Sequence, residues 1–401
     1  MEITRRVFAF FLVLCAPLAL FSSAQSSEKS GARGQYLVYV GTYTTKTESK
    51  GIYSFQFDAA TGKMTAPALA AESPDPSFVA VHPDGKYLYA VNEAGKNSMV
   101  SAFTLDAASG KLTLLNQLPA LGEDPCYISF DKTGKYALVA NYTSGNVVVF
   151  PILADGRLGE HTALVTDSGT TGPNKERQEG PHAHWIETPR DNRFALVVDL
   201  GLDEVLVYRF DDKKGTLSRN DPPLREVPLL VAAGWRGAKV KPGAGPRHFA
   251  FHPNEKFGYV LNEIDATVLA FSYDSNHGSL SFLQSTPTLP NGFSGRNDAA
   301  EIAIHPNGKY LYASNRGHDS IAVFAIHPRN GTLTLVSDVP TGGKEPRHFA
   351  IDPAGHYLLA ENQFSNNIVE FRIDVATGKL TATGEVLQVP SPVCVAFLAT
   401  H

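Results

Sequence analysis

Short stretches in which apolar and polar residues alternate recur along the whole chain, and most of them lead into a glycine-centred turn. Examples are GIYSFQF (51–57) and TVLAFSY (267–273), each followed by a polar run, a glycine, a small or basic residue and then Met or Leu. Period-two alternation is typical of β-strands, and a glycine that tolerates positive φ between two strands indicates a tight hairpin. Seven such turns occur, 46 to 63 residues apart, centred on Gly62, Gly110, Gly156, Gly215, Gly278, Gly331 and Gly378.

A second repeat runs in step with the first and consists of two apolar runs around a Pro/Gly turn. VAVHPDGKYLYAVNE (79–93), FAFHPNEKFGYVLNE (249–263) and IAIHPNGKYLYASNR (302–316) are three of its copies. Together the two repeats predict units of four antiparallel strands, here called A to D in chain order, repeated seven times. We therefore predict an all-β fold, a seven-bladed β-propeller that occupies residues 35–401.

The two ends of this region supply complementary parts of one unit. YLVYVGTY (36–43) matches a B strand with no A strand before it, and SPVCVAFL (391–398) matches an A strand with no B strand after it. Pairing between them would close the ring and remove its open sheet edges. The sequence therefore predicts that the C-terminal strand joins the N-terminal strands in one blade.

The first 24 residues differ from the rest of the chain. Arg5 and Arg6 precede an apolar run from Val7 to Phe21, and small residues follow at 22–24. This pattern is typical of a cleaved export signal, and the run is too short to anchor the mature protein in a membrane. The paired arginines fit a twin-arginine signal, and a general secretory signal fits equally well. We expect a signal peptide at 1–24, a flexible segment at 25–34, and a periplasmic or extracellular protein.

Composition narrows the classes of partner. The chain has 35 Lys and Arg against 40 Asp and Glu and no basic stripe, so nucleic acid is not an expected partner. Only Cys126 and Cys394 follow the signal, each just after the predicted start of an A strand, and we expect buried thiols rather than a disulfide framework. We also expect a monomer without a cofactor or metal, and without membrane association after the signal is removed.

The starts of the A strands and the ends of the B strands lie at the same end of an antiparallel sheet, so in all blades they share one face of the propeller. The residue that follows a repeated Asn at B-strand ends varies from blade to blade, and Glu263 and Arg316 break the pattern in neighbouring blades. A structural residue would recur, as His82, His252 and His305 do in the repeated His-Pro turns. The titratable residues at A-strand starts are His182, His184, Arg247, His248, Glu301, Arg347 and His348.

These residues suggest an anion site and leave one alternative. Two Pro-Arg-His segments, at Arg247 and Arg347, together with Arg316 favour binding of a carboxylate or phosphate. A ring formed by His184, His248, Glu301 and His348 would instead suit a metal ion, but the neighbouring arginines would repel a divalent cation. Three long loops before A strands (167–181, 219–246 and 286–298) are expected to cover this face. They contribute Lys175, Arg177, Trp235, Arg236 and Arg296.

The motifs GPHAHWI (180–186), GPRHFAFHPN (245–254) and YASNRGHDSIAVF (312–324) carry a family resemblance. The chain resembles the seven-bladed propeller lactonases, whose best-known activity is 6-phosphogluconolactonase and which include a fungal carboxymuconate-cyclising branch. The site proposed for that branch uses a His, two Arg and a Glu, and the resemblance places them on His182 or His184, Arg247, Glu263 and Arg316. We assign substrate binding to a further set, namely His248, Arg296, Glu301, Arg347 and His348.

The expected activity is a carboxylic ester hydrolase that opens a small, anionic sugar lactone. Arg247 and Arg316 would stabilise the oxyanion, and Glu263 or one of the two histidines would accept a proton from water. Two alternatives stay open: a cycloisomerase that forms a lactone from an unsaturated diacid, and a non-catalytic binding propeller of the cell envelope. Since Glu263 does not recur in all blades, we expect Glu263→Gln to abolish turnover at little cost in stability.

Overall fold

A computed structural model describes residues 34–220 and 238–400. The predicted signal peptide, all but the last residue of the predicted flexible segment, and Trp235 and Arg236 lie outside these ranges. Within them, no helix is long and apolar enough to cross a membrane. The helical elements of this part of the chain are two single 3₁₀ turns, Gly95–Asn97 and Gln363–Ser365.

The described residues form thirty β-strands in seven antiparallel sheets, the blades of a propeller. Blade 1 contains β1 (Gln35–Thr42), β2 (Gly51–Asp58), β3 (Lys63–Met64), β4 (Ala68–Glu72) and β30 (Pro392–Ala399). Blade 2 contains β5 (Phe78–Val81), β6 (Tyr87–Asn92), β7 (Met99–Leu105) and β8 (Leu112–Pro119). Blade 3 contains β9 (Pro125–Phe130), β10 (Tyr136–Asn141), β11 (Asn146–Pro151) and β12 (Ala163–Thr166).

The remaining blades follow in chain order. Blade 4 contains β13 (Ala183–Glu187), β14 (Phe194–Asp199), β15 (Glu204–Asp211), β16 (Thr216–Arg219) and β17 (Ala238–Lys239). Blade 5 contains β18 (Pro246–Phe251), β19 (Phe257–Asn262), β20 (Thr267–Asp274) and β21 (Ser279–Pro287). Blade 6 contains β22 (Asp298–Ile304), β23 (Tyr310–Arg316), β24 (Ser320–Ile326) and β25 (Leu333–Pro340). Blade 7 contains β26 (Pro346–Ile351), β27 (Tyr357–Asn362), β28 (Asn367–Ile373) and β29 (Leu380–Gln388).

The predicted closure of the ring is confirmed. β30 pairs antiparallel with β1, from Tyr36 opposite Ala399 to Thr42 opposite Pro392. The A strand of each blade is innermost, and each A strand contacts those of the two neighbouring blades around a central channel. The apolar core lies between adjacent sheets, as where Tyr312 and Val323 of blade 6 pack with Phe349 and Leu358 of blade 7.

The seven hairpin glycines are also confirmed, because all have φ between +63° and +82°. Packing between blades requires glycine independently of φ. A Cβ atom at Gly156 would lie 2.1 Å from the ring of Tyr87 in the preceding blade, and one at Gly378 would lie 2.4 Å from that of Tyr310. Six of the seven glycines are therefore contact points at which a hairpin rests on an aromatic residue of its neighbour, and Gly110 instead meets Ser54 and Leu37.

The repeated histidines have the structural role expected of them. The Nε2 atoms of His82, His252 and His305 lie 2.8, 2.9 and 2.7 Å from the carbonyl oxygens of Gly134, Gly308 and Gly355. Each imidazole thus joins the A–B turn of its own blade to that of the next. Cys126 and Cys394 are buried free thiols, as expected.

The structure corrects the placement of the 219–246 segment. This segment was expected to be one long loop leading to the next A strand, but the chain leaves the outer edge of blade 4 after β16 and returns there as β17. Both strands pair with β15, at Asp211–Thr216 and Glu204–Lys239 respectively. The described residues at both ends of the insertion therefore lie at the outer edge of blade 4, and residues 240–245 connect β17 to the next A strand.

Candidate active site

β-Bulges at the starts of the innermost strands explain why the candidate residues converge. In β18 the pairing passes from Pro246–Asn262 to His248–Leu261, which leaves Arg247 without a partner on β19. The same irregularity leaves Arg347 unpaired in β26 and His184 in β13. A bulge re-aims a side chain that strict alternation would send to the other face. As a result, Arg247 and His248 both line the channel although they are adjacent in sequence.

Three arginines surround the carboxylate of Glu263 where the strands of blades 5 and 6 meet. Arg247 Nε and Arg316 Nη2 each lie 3.0 Å from Glu263 Oε2, and Arg177 Nη2 donates to Glu263 Oε1. Glu263, Arg247 and Arg316 are 3%, 3% and 7% exposed. Three cations on one buried carboxylate leave an excess of positive charge, which makes this a site for an anion or a developing oxyanion.

Both strand-borne arginines are fixed by a second contact. Arg247 Nη1 donates to the carbonyl oxygen of Ala300 at 2.6 Å, and Arg316 Nε donates to that of Asp298 at 3.0 Å. The backbone of Glu263 is held as well, since its N–H donates to Gly245 and its carbonyl accepts from Ala299. The Arg247–Glu263–Arg316 cluster is therefore rigid and preorganised.

The surrounding charges set the ionisation of this cluster. Burial alone would raise the pKa of Glu263, but Arg316, Arg247 and Arg177 outweigh it and lower the pKa to about 2. Burial and the charges of Arg316 and Arg347 lower the pKa of Arg247 to about 10. Glu263 is consequently a permanent carboxylate at neutral pH, and it acts as the counter-ion of the three arginines.

The two histidines of the 182–184 segment have different surroundings. His182 stacks on Tyr142 (ring centroids 4.5 Å apart), and its Nδ1 lies 2.9 Å from the carbonyl oxygen of Tyr142. His184 packs edge-on against Tyr142 and His248, and its buried Nδ1 has no hydrogen-bond partner. Burial, then the charge of Arg247, holds the pKa of His184 well below its usual range. His184 is therefore a neutral imidazole with an uncommitted nitrogen.

His248, Glu301 and His348 lie next to one another along the narrow channel. Glu301 Oε2 lies 3.0 Å from His248 Nδ1 and 3.6 Å from His348 Nε2. His348 Nδ1 lies 2.7 Å from Glu361 Oε2. The cavity beside them has a volume of about 10 Å³, enough for roughly one water molecule. His248 also contacts Arg247, since its Nε2 atom lies 3.3 Å from Arg247 Nη1.

Two residues of the site were not assigned from the sequence. Arg177 was noted only as a loop residue, because nothing in a loop sequence indicates where its side chain points. Glu361 occupies a B-strand position held by Val, Ala, Leu or Ser in the other aligned blades, so a blade-by-blade comparison would have identified it. It is fully buried, and burial raises its pKa well above the usual range.

Arg296 is exposed and Arg347 is half-buried. Arg296 is on the rim with its side chain 64% exposed, paired with Asp298 at 2.6 Å and Glu345 at 3.0 Å. Arg347 lines the narrow channel and lies over the ring of Tyr43 at 5.3 Å. The cluster contacting Glu263 includes neither of them.

The metal alternative gains no support from the geometry. Across residues 34–220 and 238–400, no group of three or more His, Cys, Asp or Glu side chains is arranged to hold a metal ion. His248, Glu301 and His348 instead bind one another through the hydrogen bonds described above.

Comparison with known proteins identifies the family. The profile described as "Lactonase, 7-bladed beta-propeller" matches residues 37–397. The chain belongs to this family. It is 38% identical to the 6-phosphogluconolactonase of Bacillus subtilis over 91% of this chain and 99% of that protein. It is 31% identical to the structure of a Pseudomonas aeruginosa periplasmic gluconolactonase, with a TM-score of 0.83 and coverage of 92% and 100%. A 6-phosphogluconolactonase of Formosa agariphila is 37% identical over 78% of this chain and 85% of that protein.

Proposed function

We propose that this lactonase-family protein hydrolyses a sugar lactone at the mouth of its channel. The observation that carries the proposal is the convergence of Arg247 and Arg316 on one carboxylate, at the face where every A strand begins. Guanidinium donors held rigidly in a buried site stabilise negative charge strongly, because they need no reorganisation when the charge develops.

The chemistry follows from this arrangement. A water oxygen forms a bond to the lactone carbonyl carbon, and the carbonyl oxygen takes up negative charge beside Arg247 and Arg316. When the tetrahedral intermediate collapses, the ring C–O bond breaks and the ring oxygen leaves as a hydroxyl group by taking a proton. The products are one hydroxycarboxylate and one proton released to solvent, so no further reactant is required.

His184 is the group best placed to take the proton from the attacking water. Its imidazole is neutral and its Nδ1 has no hydrogen-bond partner, whereas Glu263 Oε2 lies 3.0 Å from both Arg247 and Arg316 and Glu263 Oε1 accepts from Arg177. Glu263 is assigned as the counter-ion that orients Arg247 and Arg316. His182, whose Nδ1 is engaged by a backbone carbonyl, is assigned to positioning Tyr142 and the loop around it.

The substrate and compartment are finer proposals. Relatives carry names for both a phosphorylated and an unphosphorylated substrate, and the relative named for the unphosphorylated one is called periplasmic. The signal-like residues 1–24 support export of this chain as well. We therefore favour a plain or carboxylated sugar lactone as the physiological substrate, acted on by a monomer whose mature form begins near residue 25.

Two measurements test these proposals. Proton release at constant pH should follow ring opening of gluconolactone, its 6-phosphate and a glucarolactone, and Arg247→Ala should abolish it. Turnover of a muconate with no lactone opened would favour the cycloisomerase, and no turnover of any compound would favour a binding protein. N-terminal sequencing of the native protein should begin near residue 25; an uncleaved chain with a large preference for the phosphate would overturn the export proposal.

A further inference from the structure

Arg177 is the only one of the three arginines on Glu263 that comes from a loop. Its side chain is 35% exposed, against 4% for that of Glu263, so it covers the carboxylate on the solvent side. A lactone approaching Arg247 and Arg316 from solvent therefore meets Arg177 first.

The backbone beside Arg177 is fixed, although its side chain is not. Gln178 is fully buried, and its amide donates to the carbonyl oxygen of Leu200 and to Asp203 Oδ1, both at 2.8 Å. The N–H groups of Arg177 and Gln178 both donate to the carbonyl oxygen of Asn174. The guanidinium can thus swing about an anchored Cα without unfolding of the loop.

A substrate anion can replace the contacts that Arg177 makes with other side chains. Arg177 touches Glu263, Asp298 (Nη1 to Oδ1, 3.5 Å) and the hydroxyl of Tyr142 (3.4 Å), all of them side chains. Arg247 and Arg316 each also bind a strand carbonyl, which a substrate cannot replace. Among the three, Arg177 is therefore the one that can give up Glu263 for another anion.

We propose that Arg177 selects the charge of the substrate, by leaving Glu263 and pairing with the phosphate or carboxylate of an anionic lactone. This inference rests on the proposed function, since it places the lactone carbonyl at Arg247 and Arg316. A neutral lactone must displace the same guanidinium without offering a counter-charge, so it binds less well. The guanidinium fork suits both phosphate and carboxylate oxygens.

Arg347 is the competing candidate, and the geometry disfavours it. It lies beside Arg247 and His248 in a cavity of about 10 Å³, which holds roughly one water molecule and no phosphate group. Its guanidinium already lies over the ring of Tyr43, and its charge adds to the positive potential of the channel. The two arginines can therefore be separated by experiment.

The test compares kcat/KM for gluconolactone, its 6-phosphate and a glucarolactone in the wild type, Arg177→Met, Arg177→Lys and Arg347→Met. We expect the wild type to prefer the anionic lactones, and we expect Arg177→Met to lower about tenfold the ratio of kcat/KM for the anionic lactones to kcat/KM for gluconolactone, the equivalent of one charged contact. Arg177→Lys should keep most of the preference. Arg157→Met, which removes a surface arginine paired with Asp155, is the matched control.

Three outcomes would overturn the inference: no charge preference in the wild type, an equal loss on all three lactones in Arg177→Met, or loss of the preference in Arg347→Met alone. Calorimetry measures the affinity of the protein for 6-phosphogluconate and for gluconate. Because binding requires no turnover, this comparison separates the inference from the proposed function. If the wild type opens no lactone, the proposed function fails. Tighter binding of the phosphorylated acid that is lost in Arg177→Met would still support Arg177 as the anion receptor, and equal binding would reject it.

Discussion

The two ends of the central channel are built from the same strands and differ in almost every other respect. At the mouth, the bulged starts of the A strands present arginines and histidines that change from blade to blade. At the opposite end, the A–B turns repeat, and three of them carry a histidine that joins its blade to the next. A cavity of about 440 Å³ with Trp185, Phe249 and Phe251 in its wall lies at this repeated end. Its charged residues are paired locally, as Arg190 is with Glu255 at 3.9 Å.

Residues that depart from the repeat therefore indicate the candidate active site better than the size of a cavity does. A residue required by the fold is required in every blade, whereas Arg316 and Glu361 each occur once at their position and Glu263 is matched only by Glu93 of blade 2. The small space at the mouth is consistent with a site that binds its substrate above the channel and uses the channel walls for support. Substitutions at the two ends should therefore affect different quantities.

The largest effect is expected from Glu263→Gln. Removing the carboxylate leaves three cations without their shared counter-ion, so the arginines lose the arrangement that stabilises the oxyanion. We expect kcat/KM to fall by about a thousandfold, the scale seen when a preorganised oxyanion donor is lost. Steady-state kinetics on the best lactone of the panel would check this, and activity within tenfold of the wild type would remove Glu263 from the site.

The same substitution should change the dependence of stability on pH. A folded-state pKa of about 2 lies below the ordinary value of 4.5, so ionised Glu263 stabilises the fold above pH 4.5, and this contribution is lost as the pH falls towards 2. The shift corresponds to roughly 3 kcal/mol. We therefore revise the small stability cost expected from the sequence. Denaturant unfolding between pH 2 and 7 should show that the free energy of unfolding falls less on acidification in Glu263→Gln than in the wild type.

An intermediate effect is expected from Glu301→Gln, which acts through other residues. Glu301 Oε2 accepts from His248 Nδ1, which leaves His248 Nε2 to accept from Arg247, while Glu301 Oε1 accepts from the N–H of Ile302. An amide places a donor against one of these partners in either orientation. We expect kcat to fall about tenfold with KM nearly unchanged; a change in the thermal unfolding midpoint alone would show a purely structural role.

The smallest effect on activity is expected from His82→Ala at the opposite end. The substitution removes the 2.8 Å link to Gly134 and should cost about 1 kcal/mol of stability, or a few degrees in the unfolding midpoint. We expect kcat/KM to stay within about twofold of the wild type. A large loss of activity with an unchanged midpoint would contradict the division between the two ends.

The repeats allowed the sequence to determine the architecture. Seven hairpin glycines, the alternating strands and the split first blade specify the blade number and the closure of the ring, because each is a local requirement of backbone geometry. The face that carries Arg247, Glu263 and Arg316 followed from the same repeats, since strand direction decides which ends lie together.

Only the tertiary structure decided how these residues interact. Period-two alternation would place Arg247 and His248 on opposite faces of β18. The β-bulge that brings both side chains to the channel depends on the pairing of β18 with β19. The pKa of Glu263 depends on three guanidinium groups that are distant in sequence, one of them on a loop whose side-chain direction no local pattern encodes. The outer-edge path of the 219–246 segment was likewise hidden, because two short strands leave little periodic signal. Local backbone rules can be read from a sequence, but the electrostatics of a buried cluster depend on distances that folding alone establishes.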